Sequence, residues 1–242
     1  MPELRIAAGD FITVVGESGS GKSTLLKALY GFDPQKGLVE VDGTFASRVD
    51  RREYRKGIMI SNQFYTVETA SIRGNIVTEG LPEDATALDA IVKRGGFDRL
   101  SEKHGKTPET LILNKDTQLS GGEKKMLSIA AIDYRLAVAP ESVKMILLDE
   151  PTSGVDHRQK QRVFRTIQRW RREHPTITIV VVNHDPDWFN TLPGESRILG
   201  VSSEKVLTQD ESLSEARMHA GRPFHDVFIA GDETSETAGD DE

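Results

Sequence analysis

Short runs of apolar, β-branched residues alternate along this chain with longer segments of helical periodicity. "FITVVG" (Phe11 to Gly16), "GIMISNQ" (Gly57 to Gln63), "VKMILLDEP" (Val143 to Pro151) and "TITIVVVNHD" (Thr176 to Asp185) read as buried strands that end in polar residues. "GLVEVDG" alternates instead and predicts an exposed strand. "GKSTLLKALYGF", "EKKMLSIAAIDYRLAVA" and "DHRQKQRVFRTIQRWRREH" carry the pattern of helices. Buried strands separated by helices predict an α/β fold with a parallel sheet, and such sheets bind ligands at the C-terminal ends of their strands. From Glu68 to about Thr117 the pattern turns helical and polar, broken by glycine and proline at "EGLPED" and "KRGGFD". This segment is expected to form an inserted helical lobe.

Composition narrows the classes without choosing among them. The 242 residues are 37% hydrophobic and 29% charged, enough for one large domain or one domain with an inserted lobe. A net charge of -7 argues against a global basic field for nucleic acid or anionic membrane. Disulfides and thiolate metal sites are excluded because the chain has no cysteine. No apolar run approaches the roughly 18 residues that cross a bilayer, and "MPELRIAAGDF" lacks the pattern of a signal peptide. The last dozen residues, "GDETSETAGDDE", hold six acids and no large apolar side chain, and they predict a disordered tail.

The polar punctuation carries the chemistry. "GESGSGKST", Gly16, Glu17, Ser18, Gly19, Ser20, Gly21, Lys22, Ser23 and Thr24, matches the GxxxxGK[ST] phosphate loop between a buried strand and a helix. Its glycines let backbone N–H groups line a phosphate, Lys22 neutralises charge, and the Ser23 hydroxyl is suited to Mg²⁺. Asp149 ends a later strand, where a carboxylate can hold Mg²⁺ through water. Glu150 follows directly and is the best candidate for general base on a water aimed at the γ-phosphate. His184 is either a structural histidine or a donor that orients this water. Gln63 is equally open: its amide either reaches Mg²⁺ and the water or satisfies loop backbone. A second phosphate-type surface stands at "LSGGEKK", where Ser120, Gly121 and Gly122 precede a helix.

The order of these motifs, phosphate loop, glutamine, "LSGGE", "LLDEP", "SGVD" and "NH", resembles the nucleotide-binding domain of the ATP-binding cassette (ABC) ATPases, over about Leu4 to Val206. The resemblance implies a P-loop NTPase fold with a mainly parallel core sheet, an antiparallel β subdomain and an inserted helical lobe leading into the signature. Residues 1–67 and 118–208 would form the core with the β subdomain, 68–117 the helical subdomain, 209–230 a C-terminal extension and 231–242 the acidic tail. It implies ATP and Mg²⁺ as cofactors, with Ser23, Gln63 and Asp149 at the metal and Lys22, Gln63, Glu150 and His184 in catalysis. It also implies a head-to-tail pair of domains. Ser120, Gly121, Gly122 and Glu123 of one copy would then contact the nucleotide held by the other, and Asp156 would couple the two sites.

The resemblance further implies transmembrane partner subunits and a cytoplasmic location at the inner face of a membrane. "SIRGNI" (Ser71 to Ile76) resembles the exporter pattern. Before the signature, exporters usually carry TxVGERGxxLSGG, whereas this chain has Leu113, Asn114, Lys115 and Asp116 at the Gly-Glu-Arg-Gly positions. The chain also begins too late to supply the upstream aromatic on which many members stack adenine. The second function considered is a soluble ABC ATPase acting on nucleic acid, the ribosome or a protein assembly. The 55 residues between Gln63 and Leu119 leave no room for the long coiled coils of repair and chromosome-associated members. Only one cassette is present, whereas ribosome-associated members generally carry two. The arginines of "DHRQKQRVFRTIQRWRREH" and of "SRVDRREYRK" are expected on solvated surfaces, the latter in a loop, and Tyr30 and Phe32 in the core.

Overall fold

The computed structural model of the chain describes residues 4–31, 40–41, 44–45, 48–61, 71–77, 80–97, 107–109, 119–192, 196–201 and 207–212. The first half contributes β1 (Phe11–Val15), α1 (Lys22–Leu29), β2 (Glu40–Val41), β3 (Thr44–Phe45), α2 (Arg51–Lys56) and β4 (Ile58–Ser61). Helices α3 (Ile72–Ile76), α4 (Ala85–Gly95) and α5 (Gly121–Val138) follow. The remainder alternates: β5 (Met145–Asp149), α6 (His157–Glu173), β6 (Thr178–Val182), α7 (Pro186–Asn190), β7 (Arg197–Val201) and β8 (Leu207–Ser212).

The six-stranded sheet has the order β4-β5-β6-β1-β7-β8. All neighbours pair in parallel except β8, which runs antiparallel to β7 at the edge. Every residue of β1 and β6 is buried, as expected of central strands covered on both faces. Successive side chains point to opposite faces. Ile12 and Val14 therefore pack with Leu26 and Leu29 of α1, while Phe11 and Val15 join the larger core with Leu127, Val163, Phe164 and Trp188. Two of the expected strands end at Asp149 and Val182, so the polar residues after them emerge along one end of the sheet.

Strands β7 and β8 were not anticipated, because "RILGV" is short, starts on arginine and carries a glycine. Its place beside β1 brings Val201 against the root of the phosphate loop. The two-stranded antiparallel pair β2–β3 takes in Glu40 and Val41 of the "GLVEVDG" run. "SRVDRREYRK" departs from the expected loop. Asp50 accepts hydrogen bonds from the backbone of Arg52 and Glu53 and starts helix α2. From it, Tyr54 Oη donates to Leu29 O at 2.6 Å and Arg55 donates to Tyr30 O and Gly31 O. A basic side chain on the last carbonyls of α1 opposes the negative end of that helix's dipole. Tyr30 is half-buried beneath Arg55. Phe32 lies outside the described residues.

Five of the six arginines of α6 divide into two sets. Arg158, Arg165 and Arg172 are exposed as expected, whereas Arg162 and Arg169 turn inward. Arg162 donates to Gly95 O at the end of α4 (3.1 Å), and Arg169 pairs with Asp133 of α5. Asp133 is 7% exposed and also accepts from Trp170 Nε1 (2.8 Å) and from Arg94 of α4 (3.1 Å). A carboxylate this buried persists only because three donors meet it. Tyr134, fully buried, ties in the start of the same helical segment by donating to Pro82 O and accepting from Asp84 N, both at 2.8 Å. The glycine break at "KRGG" ends α4: Gly96 caps it at φ 76°, and a Cβ there would strike the Arg162 guanidinium.

Candidate nucleotide site

The loop after β1 curls through three glycines with left-handed backbones, Gly16 (φ 147°), Gly19 (φ 81°) and Gly21 (φ 106°). At Gly16 the requirement is also steric. A Cβ would overlap the carbonyl oxygen of Val201, the last residue of the unexpected β7. The neighbouring strand therefore dictates glycine at the root of the loop. Gly21 caps α1 without any side-chain hydrogen bond, so the first turn of this helix has no side-chain acceptor of its own at the cap. Lys22, 6% exposed, folds back and donates to Gly16 O at 2.8 Å and Glu17 O at 2.6 Å. Burial lowers its pKa, opposed by the nearby Glu150 and Asp149 carboxylates. Glu17, Ser18, Gly19 and Thr24 are exposed and Ser23 is half-buried, while Ser20 is fully buried. The Ser20 hydroxyl has no hydrogen-bond partner among the described residues.

Two further strand ends converge on this loop. Asp149 closes β5 and is 8% exposed, and its Oδ1 also has no hydrogen-bond partner among the described residues. A buried carboxylate oxygen left without a donor fits a hard cation that takes oxygen ligands. No cluster of three or more His, Asp or Glu could hold a metal by itself among the described residues. Glu150 comes next in a left-handed backbone (φ 47°), and its carboxylate lies 3.4 Å from His184 Nε2. Burial and the charge of Lys22 lower the His184 pKa against the pull of Glu150 and Asp149, so the imidazole is neutral at pH 7. Asn183 Oδ1 accepts from Thr152 Oγ1 (3.3 Å) and Asp185 N (3.1 Å), and Lys160 pairs with Asp185 at 2.6 Å. The histidine's backbone is thus fixed on both sides. Gln63 lies outside the described residues.

The second phosphate-type surface starts a different helix and is built differently. Ser120 Oγ accepts from Glu123 N (3.2 Å) while Glu123 Oε2 accepts from Ser120 N (2.7 Å), a reciprocal cap on α5. Ser120 and Gly121 are exposed, and a Cβ on Gly121 would meet nothing within 4 Å. Gly122 is buried against the loop before α6, where a Cβ would meet Gly154 O at 2.6 Å. That loop ends at Asp156, exposed, whose side chain accepts from Gln159 N and caps α6.

This arrangement offers a loop suited to phosphate, a buried carboxylate oxygen at Asp149 suited to a cation, and the Glu150 carboxylate side by side with the His184 imidazole. The family profile described as "ABC transporter" matches residues 2–153. The chain belongs to the ABC transporter family. Among curated proteins it is 29% identical over 236 residues to "Phosphonates import ATP-binding protein PhnC" of Lactobacillus gasseri, covering 94% of this chain and 85% of that one. It is 34% identical over 237 residues to "Methionine import ATP-binding protein MetN 2" of Rhodococcus jostii, covering 94% of this chain and 65% of that protein. With "Glutathione/L-cysteine transport system ATP-binding/permease protein CydC" of Escherichia coli it shares 31% identity, over 75% of this chain but only 30% of the relative. The structure titled "Structure of a bacterial Atm1-family ABC exporter with ATP bound" superposes with a TM-score of 0.73 at 24% identity, over 98% of this chain and 38% of that one, and this likeness concerns the fold. The P-loop NTPase fold of an ABC domain is therefore confirmed, and the chain is an ABC-type ATPase that binds and hydrolyses ATP. No helix among the described residues is long and apolar enough to cross a membrane.

Sequence patterns missed two members of the site's surroundings. Lys125 and Ser128 of α5 are 5% and 2% exposed, and both reach the polar end of the sheet. Lys125 Nζ donates to Asp149 O and Glu150 O, each at 2.8 Å, and Ser128 Oγ lies 2.6 Å from Ser61 Oγ at the end of β4. A signal existed: Lys125 falls on the same helical ladder as Gly122, Ile129, Ile132 and Leu136, a row otherwise without charge.

Proposed function

We propose that this chain is the energy-coupling ATPase of a membrane transporter, working as a head-to-tail pair at the inner face of a membrane with transmembrane partner subunits. The observation that carries the reading is the pair of separate phosphate-type surfaces. The phosphate loop from Gly16 to Thr24 is accompanied by Lys22, Asp149, Glu150 and His184, whereas Ser120 and Gly121 lie exposed at the start of another helix. In a head-to-tail pair each exposed turn faces the loop of the other copy. Asp156, exposed at the start of α6, then lies at the junction between the two sites.

In the proposed reaction, water attacks the γ-phosphate in line while the Glu150 carboxylate accepts a hydrogen bond from it. His184, neutral and held beside Glu150, donates to the γ-phosphate. Lys22 and the N–H groups of Gly19 to Thr24 carry the growing charge, joined by Ser120 and Gly122 of the second copy. Ser23, Asp149 and Gln63 would hold Mg²⁺. Bound there, Mg²⁺ would neutralise phosphate charge.

The expected division into a core of 1–67 and 118–208, a helical lobe of 68–117, an extension of 209–230 and a tail of 231–242 is proposed with it. The hydrogen bonds of Arg94, Arg162 and Tyr134, which join α4 and its approach to α5 and α6, support treating the lobe as one attached body. Relatives named for import and for export both match, so the proposal covers the shared energy-coupling step and assigns no cargo. Detergent extraction of tagged protein from its native membrane is the test. Integral membrane subunits should co-purify and be lost on substitution within 63–76. Recovery of a nucleic acid or a ribosomal particle instead would favour a soluble assembly ATPase.

A further inference from the structure

Two unusual features meet at the end of β5. Glu150 is the only non-glycine residue with a positive φ among the described residues, a conformation that persists when surrounding structure holds it. Against it stands Lys125, a lysine that is 5% exposed in the middle of α5. Buried lysines are rare because desolvating the ammonium is costly. This one directs its donors to backbone, at 2.8 Å from both Asp149 O and Glu150 O, the two carbonyls that bracket the left-handed residue. A counter-charge for Asp149 and Glu150 would need only proximity to their carboxylates. Donation to both carbonyls fixes the peptide itself.

The same helix is fastened one turn later. Ser128 Oγ donates to Lys125 O (2.8 Å) and lies 2.6 Å from Ser61 Oγ, so α5 is joined to the ends of both β4 and β5. Its first turn is the Ser120–Glu123 cap. We infer that Lys125 is a positioning residue for hydrolysis: it clamps the Asp149–Glu150 backbone in its left-handed turn, aims the Glu150 carboxylate, and ties that aim to the helix bearing the signature turn. The inference rests on the proposed role of Glu150 as the group that orients water.

The chain has no cysteine, so Lys125→Cys introduces a single thiol into its 242 residues. Treatment with 2-bromoethylamine rebuilds an ammonium at nearly lysine length, whereas iodoacetamide leaves a neutral amide. Steady-state ATPase kinetics, thermal midpoint and binding of a fluorescent ATP analogue are read on each form. Lys125→Met and the amide form should lose kcat by on the order of 100-fold, the effect of a misaimed catalytic group, with KM within about threefold of the parent. The aminoethyl form should recover kcat to within about threefold. Lys125→Gln, closer to the parent in polarity, serves if the methionine variant does not fold, with the same loss expected. A kcat near the parent's in the neutral variants overturns the inference. So does a loss that aminoethylation does not restore, or one matched by equal losses of nucleotide binding and thermal midpoint. Glu150→Gln separates the two levels: turnover surviving in that variant removes the role of Glu150 itself, whereas inactive Glu150→Gln beside active Lys125→Met removes only the clamp.

Discussion

The starts of α1 and α5 are both glycine-rich helix N-termini suited to phosphate, yet they are finished in opposite ways. At α1 the cap is Gly21, which offers no side-chain acceptor, and Lys22 is buried within the loop. At α5 the cap is self-satisfied, Ser120 and Glu123 closing each other's backbone N–H groups on an exposed surface. Orphan N–H groups at a helix start need acceptors. The first helix leaves that role to a ligand, and the second already has an internal partner. Ser120 nonetheless keeps a donor, since its hydroxyl accepts from Glu123 N through a lone pair and retains its proton. The first surface is thus built to bind nucleotide on its own, and the second to be stable alone and to add one donor when a phosphate is brought to it.

The largest expected effect lies in chemistry at the first surface. Glu150→Gln should lower kcat by about 100-fold or more while leaving nucleotide binding in place, measured by phosphate release and by analogue fluorescence. Lys22→Ala should weaken ATP binding by roughly 10- to 100-fold, the worth of charge-assisted hydrogen bonds, and unchanged affinity by calorimetry would contradict the cradle. Ser120→Ala should cost about 1 kcal/mol of stability through the lost cap. In that variant a single chain's nucleotide affinity should not move, and a parallel loss would mean that the two surfaces are one site. The smallest effect is a pH dependence. Because the folded His184 pKa is lowered, its contribution to stability is complete above the ordinary value near 6.5 and declines as pH falls through that value toward the folded one. Thermal midpoints of the nucleotide-free protein between pH 7.5 and 5.5 should fall less steeply in His184→Gln.

Much of the fold was legible because central parallel strands are apolar on both faces and stand out as uninterrupted runs. The phosphate loop, Asp149, Glu150 and His184 were legible for a related reason, as polar residues placed directly after such runs. Other features depend on neighbours far along the chain. Strand β7 has a weak local signature, and only its pairing with β1 reveals why Gly16 tolerates no side chain. Helix α2 takes its place from Tyr54 and Arg55 reaching the end of α1, which a count of basic residues cannot register. Arg162 and Arg169 share a periodic stripe with three exposed arginines and differ from them only in meeting Gly95 and Asp133. Lys125 lies within "LSGGEKK" as one of two adjacent lysines, and only the distant carbonyls of Asp149 and Glu150 distinguish it from its neighbour.

The central claim, that the two surfaces belong to one site only across two copies, is tested most directly by the mass of the Glu150→Gln chain in solution at saturating Mg-ATP. Sedimentation should give twice the chain mass with Mg-ATP and the single mass without it, and adding Ser120→Arg should return the single mass while nucleotide remains bound. A Glu150→Gln protein that binds Mg-ATP and stays at the single mass would contradict the account.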